Sequence, residues 1–165
     1  SENGILTPRV VSNLANVTDL NLSGGSYNAC ALLSDQTARC WGRNRHGEVG
    51  DGTLTTRLTP AEVFGLDTIV QIDTGDRFTC ALLANSEVRC WGWNYHQSLG
   101  YQTDDSVVLT TDRGPALRGF REITMGTSHV CGLNNNGGTY CWGWNIQGEV
   151  GDGTNERRVE PILIE

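Results

Sequence analysis

Apolar positions along this chain come in short alternating runs separated by glycine and polar turn residues, and the three-to-four spacing of an amphipathic helix is absent. The runs Val17 to Leu22, Thr68 to Asp73 and Arg121 to Met125 alternate as half-buried strands do. Each is followed by two apolar arms flanking a polar turn, such as Leu33-Ser34-Asp35-Gln36-Thr37-Ala38 or Leu133-Asn134-Asn135-Asn136-Gly137-Gly138, which predicts a β-hairpin. A last run opens on proline in every case: Pro60 to Val63, Pro115 to Arg118 and Pro161 to Ile164. Proline has no ladder donor, so this strand belongs at a sheet edge. The pattern predicts an all-β chain of three units, each with four strands and the proline strand outermost.

The units are copies of one another. Cys30-Ala-Leu-Leu leading to Cys40-Trp41-Gly42-Arg43-Asn44 recurs as Cys80-Ala-Leu-Leu to Cys90-Trp91-Gly92-Trp93-Asn94, and as Cys131-Gly-Leu-Asn to Cys141-Trp142-Gly143-Trp144-Asn145. All six cysteines and all five tryptophans lie in this motif. A period of about fifty residues fits a four-stranded propeller blade or one turn of a larger solenoid. Within 1–165 the blades fall at about 12–63, 64–118 and 119–164, and 1–11 reads as an outer-strand-like segment of a preceding or neighbouring blade.

Cysteine spacing separates two chemistries. Zinc ligands normally arrive as closely spaced knuckles, whereas nine residues separate each pair here. A three-residue hairpin loop sets each first cysteine opposite its second, at a distance that a disulfide spans. The expected bonds are Cys30–Cys40, Cys80–Cys90 and Cys131–Cys141. They place the protein in an oxidising compartment, secreted, periplasmic or on a cell surface; reduced, buried cysteines in the cytosol are the alternative. The sequons at Asn16 and Asn21 would accept glycans in a eukaryotic source.

Composition narrows the partners. The balance of 38% hydrophobic and 19% charged residues is globular. The net charge is −7 and all twelve basic residues are arginine, which disfavours nucleic acid as a partner. The absence of lysine excludes Schiff-base chemistry. The apolar runs are too short to span a membrane, and Ser1-Glu2-Asn3-Gly4 lacks the features of a signal peptide.

No catalytic constellation emerges. His46, His96 and His129 have no nucleophile or orienting carboxylate at motif spacing, and the third copy has Gln147 where the first two have His46 and His96. Asp51 and Asp152 supply one carboxylate per copy and read as turn formers rather than calcium ligands. Neither a metal nor a cofactor is expected. The candidate binding residues are Arg43, Arg45, Trp93, Tyr95 and Trp144, where matching positions differ between copies on a constant frame, and Tyr101, which replaces the repeated aspartate. The middle copy also carries a longer loop, Thr103 to Gly114, which reads either as a binding loop or as neutral drift.

The string G-x-x-x-x-C-A-L, then C-W-G-x-N-x-x-G-x-x-G-D-G-T, then P-x-x-V, resembles the regulator of chromosome condensation repeat in its disulfide-bearing, extracellular form, from about Thr7 to Glu165. The resemblance implies seven-bladed propellers with about fifty residues per blade, glycines Gly25, Gly75 and Gly126 in the turn before the first hairpin arm, and Trp-Gly pairs packed between blades. It does not carry over nucleotide exchange on a GTPase, because this acidic chain has too few blades. The resemblance also takes in a secreted member that uses one propeller face to bind an enzyme, which implies only that the scaffold can serve as a binding surface.

Three blades leave a row with two open faces, and such faces mark association surfaces. The sequence therefore predicts a non-enzymatic, exported binding module. Its partner is another protein or a second copy of itself, as a homodimer closing a six-bladed ring. Polymerisation into an open filament and a lectin-like carbohydrate-binding module are the alternatives, and the chain can equally be a piece cut from a longer repeat array.

Overall fold

A computed structural model describes residues 7–22, 25, 27–112 and 114–164. Ser1 to Gly4, Ser23 of the Asn21 sequon and Glu165 lie outside the described residues. The hairpin is the generating unit. In each copy a three-residue loop ends on a left-handed residue, Gln36, Ser86 or Gly137, with φ of 64°, 66° and 88°. This geometry fixes the hairpin register. Cys30 then faces Cys40, Cys80 faces Cys90 and Cys131 faces Cys141, and all three pairs are disulfide-bonded at Cα separations of 4.1 Å.

The first sheet runs β1 (Val17–Asn21), β2 (Asn28–Leu33), β3 (Ala38–Gly42), β4 (Arg57–Glu62), antiparallel and in chain order. The second has β5 (Ile69–Thr74), β6 (Phe78–Leu83) and β7 (Glu87–Trp93). Its fourth position is shared by β8 (Val107–Val108), which opposes the end of β7, and β9 (Leu117–Arg118), which opposes its beginning. The third runs β10 (Phe120–Met125), β11 (His129–Asn134), β12 (Thr139–Gly143), β13 (Arg158–Ile164). Pro60, Pro115 and Pro161 lie in or just before these outer strands, as the missing N–H requires. Residues 7–11 form no strand, and Val10 is 96% exposed. Among the described residues no helix is long and apolar enough to cross a membrane.

The sheets pack face to face through one continuous core that includes Ile69, Ile72, Leu82, Val88, Trp91, Ile123, Val130 and Trp142. The inner strands meet at the centre, where β5 touches both β1 and β10. The loop after each second hairpin arm is organised by the asparagine of the motif. Asn44 accepts from the Val49 N–H at 2.9 Å and donates to Asp51 at 3.1 Å, and Asn145 does the same with Val150 and Asp152. Asp51 and Asp152 each take the N–H two residues on, at 3.0 Å, as turn formers. Arg57 and Arg158 pair with these two carboxylates.

The middle copy has no such aspartate, and its inserted loop does something else. Leu109 packs where a Cβ on Gly47 would stand 2.7 Å away, and buried Thr111 donates its hydroxyl to the Phe64 carbonyl at 2.7 Å. The loop is thereby folded back as a brace across the first joint.

Candidate functional site

The Trp-Gly pair that ends each second hairpin arm builds the surface that follows it. Gly42, Gly92 and Gly143 all have φ of 106°, and a Cβ there would come within 2.3, 2.5 and 2.7 Å of the carbonyl oxygens of Tyr27, Arg77 and Ser128. Only glycine permits this passage. The next residue then donates its N–H to that same carbonyl, from Arg43 and Trp93 at 2.8 Å and from Trp144 at 2.9 Å. Residues 43, 93 and 144 are thus held against the loop that precedes the first hairpin arm of their own blade.

This contact creates cation–π pairs. In the first blade the Arg43 guanidinium lies 4.6 Å from the centre of the Tyr27 ring, and in the second Arg77 lies 4.6 Å from the Trp93 ring. Tyr27 and Arg77 occupy matching positions, as do Arg43 and Trp93, so the two members have exchanged places between blades. In the third blade Ser128 offers neither partner, and Arg157 comes from the outer loop to lie 4.5 Å from the Trp144 ring. Each pair stabilises by roughly 0.5–1 kcal/mol at such exposure.

The aromatic groups run on from blade to blade. Trp93 stacks on Tyr95 with centroids 5.2 Å apart and planes 10° from parallel. His96 sets its edge against Trp93 at 4.9 Å and Trp144 at 4.4 Å, joining the second blade to the third, and His46 reaches Trp93 at 5.4 Å from the first. Beneath this band the Glu48 side chain, 0% exposed, accepts from Arg43 Nε at 3.0 Å and from the His46 N–H at 2.7 Å. Asp76 bridges Arg43, at 3.0 Å, and Arg77, at 3.1 Å. A chain of alternating charge therefore crosses the first joint and fixes the rings above it. Burial first, and then the Arg157 and Arg77 guanidiniums, push the His96 imidazole below its usual range, against the opposing pull of Asp76.

Trp93, Tyr95 and Trp144 are together in this band, with Tyr95 61% exposed. Arg43 joins it as a half-buried tether, while Arg45 is exposed and makes no ring contact among the described residues. Tyr101, expected among the binding residues, takes no part: it is 5% exposed in the core, covered by the returning loop, where a Cβ on Gly114 would strike its ring at 2.4 Å. The members that sequence reasoning missed are Tyr27, Arg77, Arg157 and the two ring-bridging histidines. A comparison of positions 27 and 77 alongside 43 and 93 would have exposed the exchanged pair; Arg157 left no such trace.

Disulfide-stapled four-stranded sheets, joined side by side and carrying an ordered side-chain band on one rim, define a row of propeller blades. Residues 21–48, 69–97 and 120–149 match the regulator of chromosome condensation (RCC1) repeat, and residues 40–82 match a second form of it. The chain belongs to the RCC1 repeat family. It is 32% identical over 162 residues to the Ultraviolet-B receptor UVR8 of Arabidopsis thaliana, covering 96% of this chain and 37% of that protein. It is 29% identical over 169 residues to the human E3 ubiquitin-protein ligase HERC2, covering 96% of this chain and 3% of that protein. In fold it resembles Prp20p of Saccharomyces cerevisiae, a protein studied for binding to Gsp1p and histones, with a TM-score of 0.81 at 20% identity over 93% of this chain and 39% of that one. The chain therefore spans well under half the length of these relatives.

Proposed function

We propose that this chain is a non-enzymatic, exported protein-binding module whose contact surface is the band of Trp93, Tyr95, His96 and Trp144 with the guanidiniums of Arg43, Arg77 and Arg157. The observation that carries this reading is the continuity of ring contacts across blades, from His46 to Trp144. Tryptophan, tyrosine and arginine dominate interface hot spots because they present large rigid area with a polar edge. Here their rotamers are held in advance, which lowers the entropy lost on binding. Three intrachain disulfides support export. The family supports a binding role, since Prp20p binds Gsp1p and histones.

Carbohydrate stacking is the weaker reading. A sugar needs an open ring face, and the Trp93 ring is already met by Arg77, Tyr95, His46 and His96, and the Trp144 ring by Arg157 and His96.

The test is immobilised chain exposed to secreted proteins of its own source. Trp93→Ala combined with Trp144→Ala should lower capture of the bound protein by about thirtyfold or more without lowering the melting temperature comparably. Leu58→Ser, on an exposed outer strand, should leave capture intact. Equal capture by the double variant refutes the assignment of the surface.

A further inference from the structure

The arginines in and beside the aromatic band fall into two classes. Arg43 and Arg77 are neutralised within the molecule, since Arg43 meets Glu48 and Asp76, both at 3.0 Å, and Arg77 meets Asp76 at 3.1 Å. Arg45 and Arg157 form no ion pair among the described residues, and both are exposed. The carboxylates close to Arg157 along the chain are engaged elsewhere. Glu156 reaches Arg158 at 3.6 Å, Asp152 pairs with Arg158 as well, and Glu149 accepts the Gln147 N–H at 2.8 Å. In a chain of net charge −7, two guanidiniums without a carboxylate on one rim are a local excess of the opposite sign.

Their exposure is a property of the repeat. Position 45 matches position 95, and Tyr95 is 61% exposed although its blade has a neighbour on either side. Position 157 matches position 56, and Thr56 is exposed although the second blade follows it. Arg45, Tyr95 and Arg157 therefore stand on three successive blades, two cations flanking a ring that is stacked on Trp93.

We infer that the partner of the band is a protein presenting an acidic segment, its carboxylates directed at Arg45 and Arg157 and an apolar side chain laid on Tyr95; this rests on the band being the contact surface. A carboxylate meets a free guanidinium through charge-assisted hydrogen bonds. At Arg45 and Arg157 it gains them without breaking an internal pair, whereas at Arg43 or Arg77 it would have to displace Glu48 or Asp76. A basic segment would set like charge against both open guanidiniums. A dense polyanion such as heparin finds only two free cations, on a molecule whose net charge repels it.

The test is selection of a phage-displayed random-peptide library on the oxidised chain, followed by anisotropy titration of the strongest peptide carrying a fluorescent label. Selected peptides should be rich in aspartate and glutamate around an apolar residue. The same peptide with its acids replaced by asparagine and glutamine should bind about tenfold or more weaker. Arg45→Gln combined with Arg157→Gln should weaken the acidic peptide by about fivefold or more and erase its advantage over the neutral one. These substitutions break no internal ion pair, so the fold is kept. Arg121→Gln, exposed on β10 and outside the band, should bind as wild type does. Selection of neutral or basic peptides, or of none, overturns the inference. So does an equal loss in Arg121→Gln, or heparin binding more tightly than the peptide. Neutral peptides that still require Trp93 and Trp144 would leave the band as the contact surface and remove only its preference for acid. Peptides bound equally by Trp93→Ala combined with Trp144→Ala would remove the surface itself.

Discussion

Replacing each joint tryptophan by phenylalanine should produce three different losses from one chemical change. Trp142 is 0% exposed, and its indole is the donor to the Ser98 carbonyl. Phenylalanine removes buried ring atoms and leaves a void, at roughly 1–2 kcal/mol. It also leaves that carbonyl without its donor inside a buried joint, at a further ~1–3 kcal/mol. The total is about 2–5 kcal/mol. Trp91 is as deeply buried, but the Thr79 hydroxyl also donates to the Glu48 carbonyl, at 2.8 Å, and stays when the indole leaves. The loss there should stop near ~1–2 kcal/mol. Trp41, partly exposed and with no acceptor for its indole among the described residues, should lose less than about 1 kcal/mol. Urea titrations followed by circular dichroism, on dilute oxidised protein, would place the midpoints in the order Trp41→Phe, Trp91→Phe, Trp142→Phe, from highest to lowest, with little change in slope. Equal losses at all three positions would refute the reasoning, because the indoles would then be serving only as bulk.

Three other outcomes follow from the same geometry. Removing one disulfide as Cys80→Ala with Cys90→Ala should lower stability by about 3 kcal/mol, since a ten-residue cross-link restrains the unfolded chain; the urea midpoint with and without reductant checks this. Although burial opposes it, the Thr154 hydroxyl, Arg158, the Thr154 N–H and Asn145 hold the Asp152 carboxyl well below its usual 3.8. Its stabilising effect is therefore complete above about pH 4 and is lost as the pH falls, so Asp152→Asn should lower stability at neutral pH and flatten the acid decline. Burial lowers the pKa of both His96 and His129 from 6.5. The unfolded chain then takes up protons first, and melting temperature should fall as pH drops below 6.5, less steeply in His96→Gln.

Much of this architecture is local and therefore legible. Strand alternation, three-residue turns and prolines at sheet edges are set by neighbours in sequence, and the hairpin register alone determines which cysteines bond. The split outer strand of the middle blade was not legible, because Leu109 and Thr111 find their partners, Gly47 and Phe64, in the preceding blade. The same difference governs the candidate site. Trp93, Tyr95 and Trp144 announced themselves by varying on a constant frame. Tyr101 varied in the same way, yet its environment is decided by a loop that returns from Gly114. Arg77, Arg157, His46 and His96 became members only when separate loops and separate blades were brought together.

The central claim, that the ring and guanidinium band is the surface that meets a partner, is tested most directly by hydroxyl-radical footprinting of the captured complex against the free chain. Protection centred on Tyr95, Trp93 and Trp144, with β4 and β13 unchanged, is the predicted result. Protection confined to the outer strands, with Tyr95 as reactive as before, would contradict it.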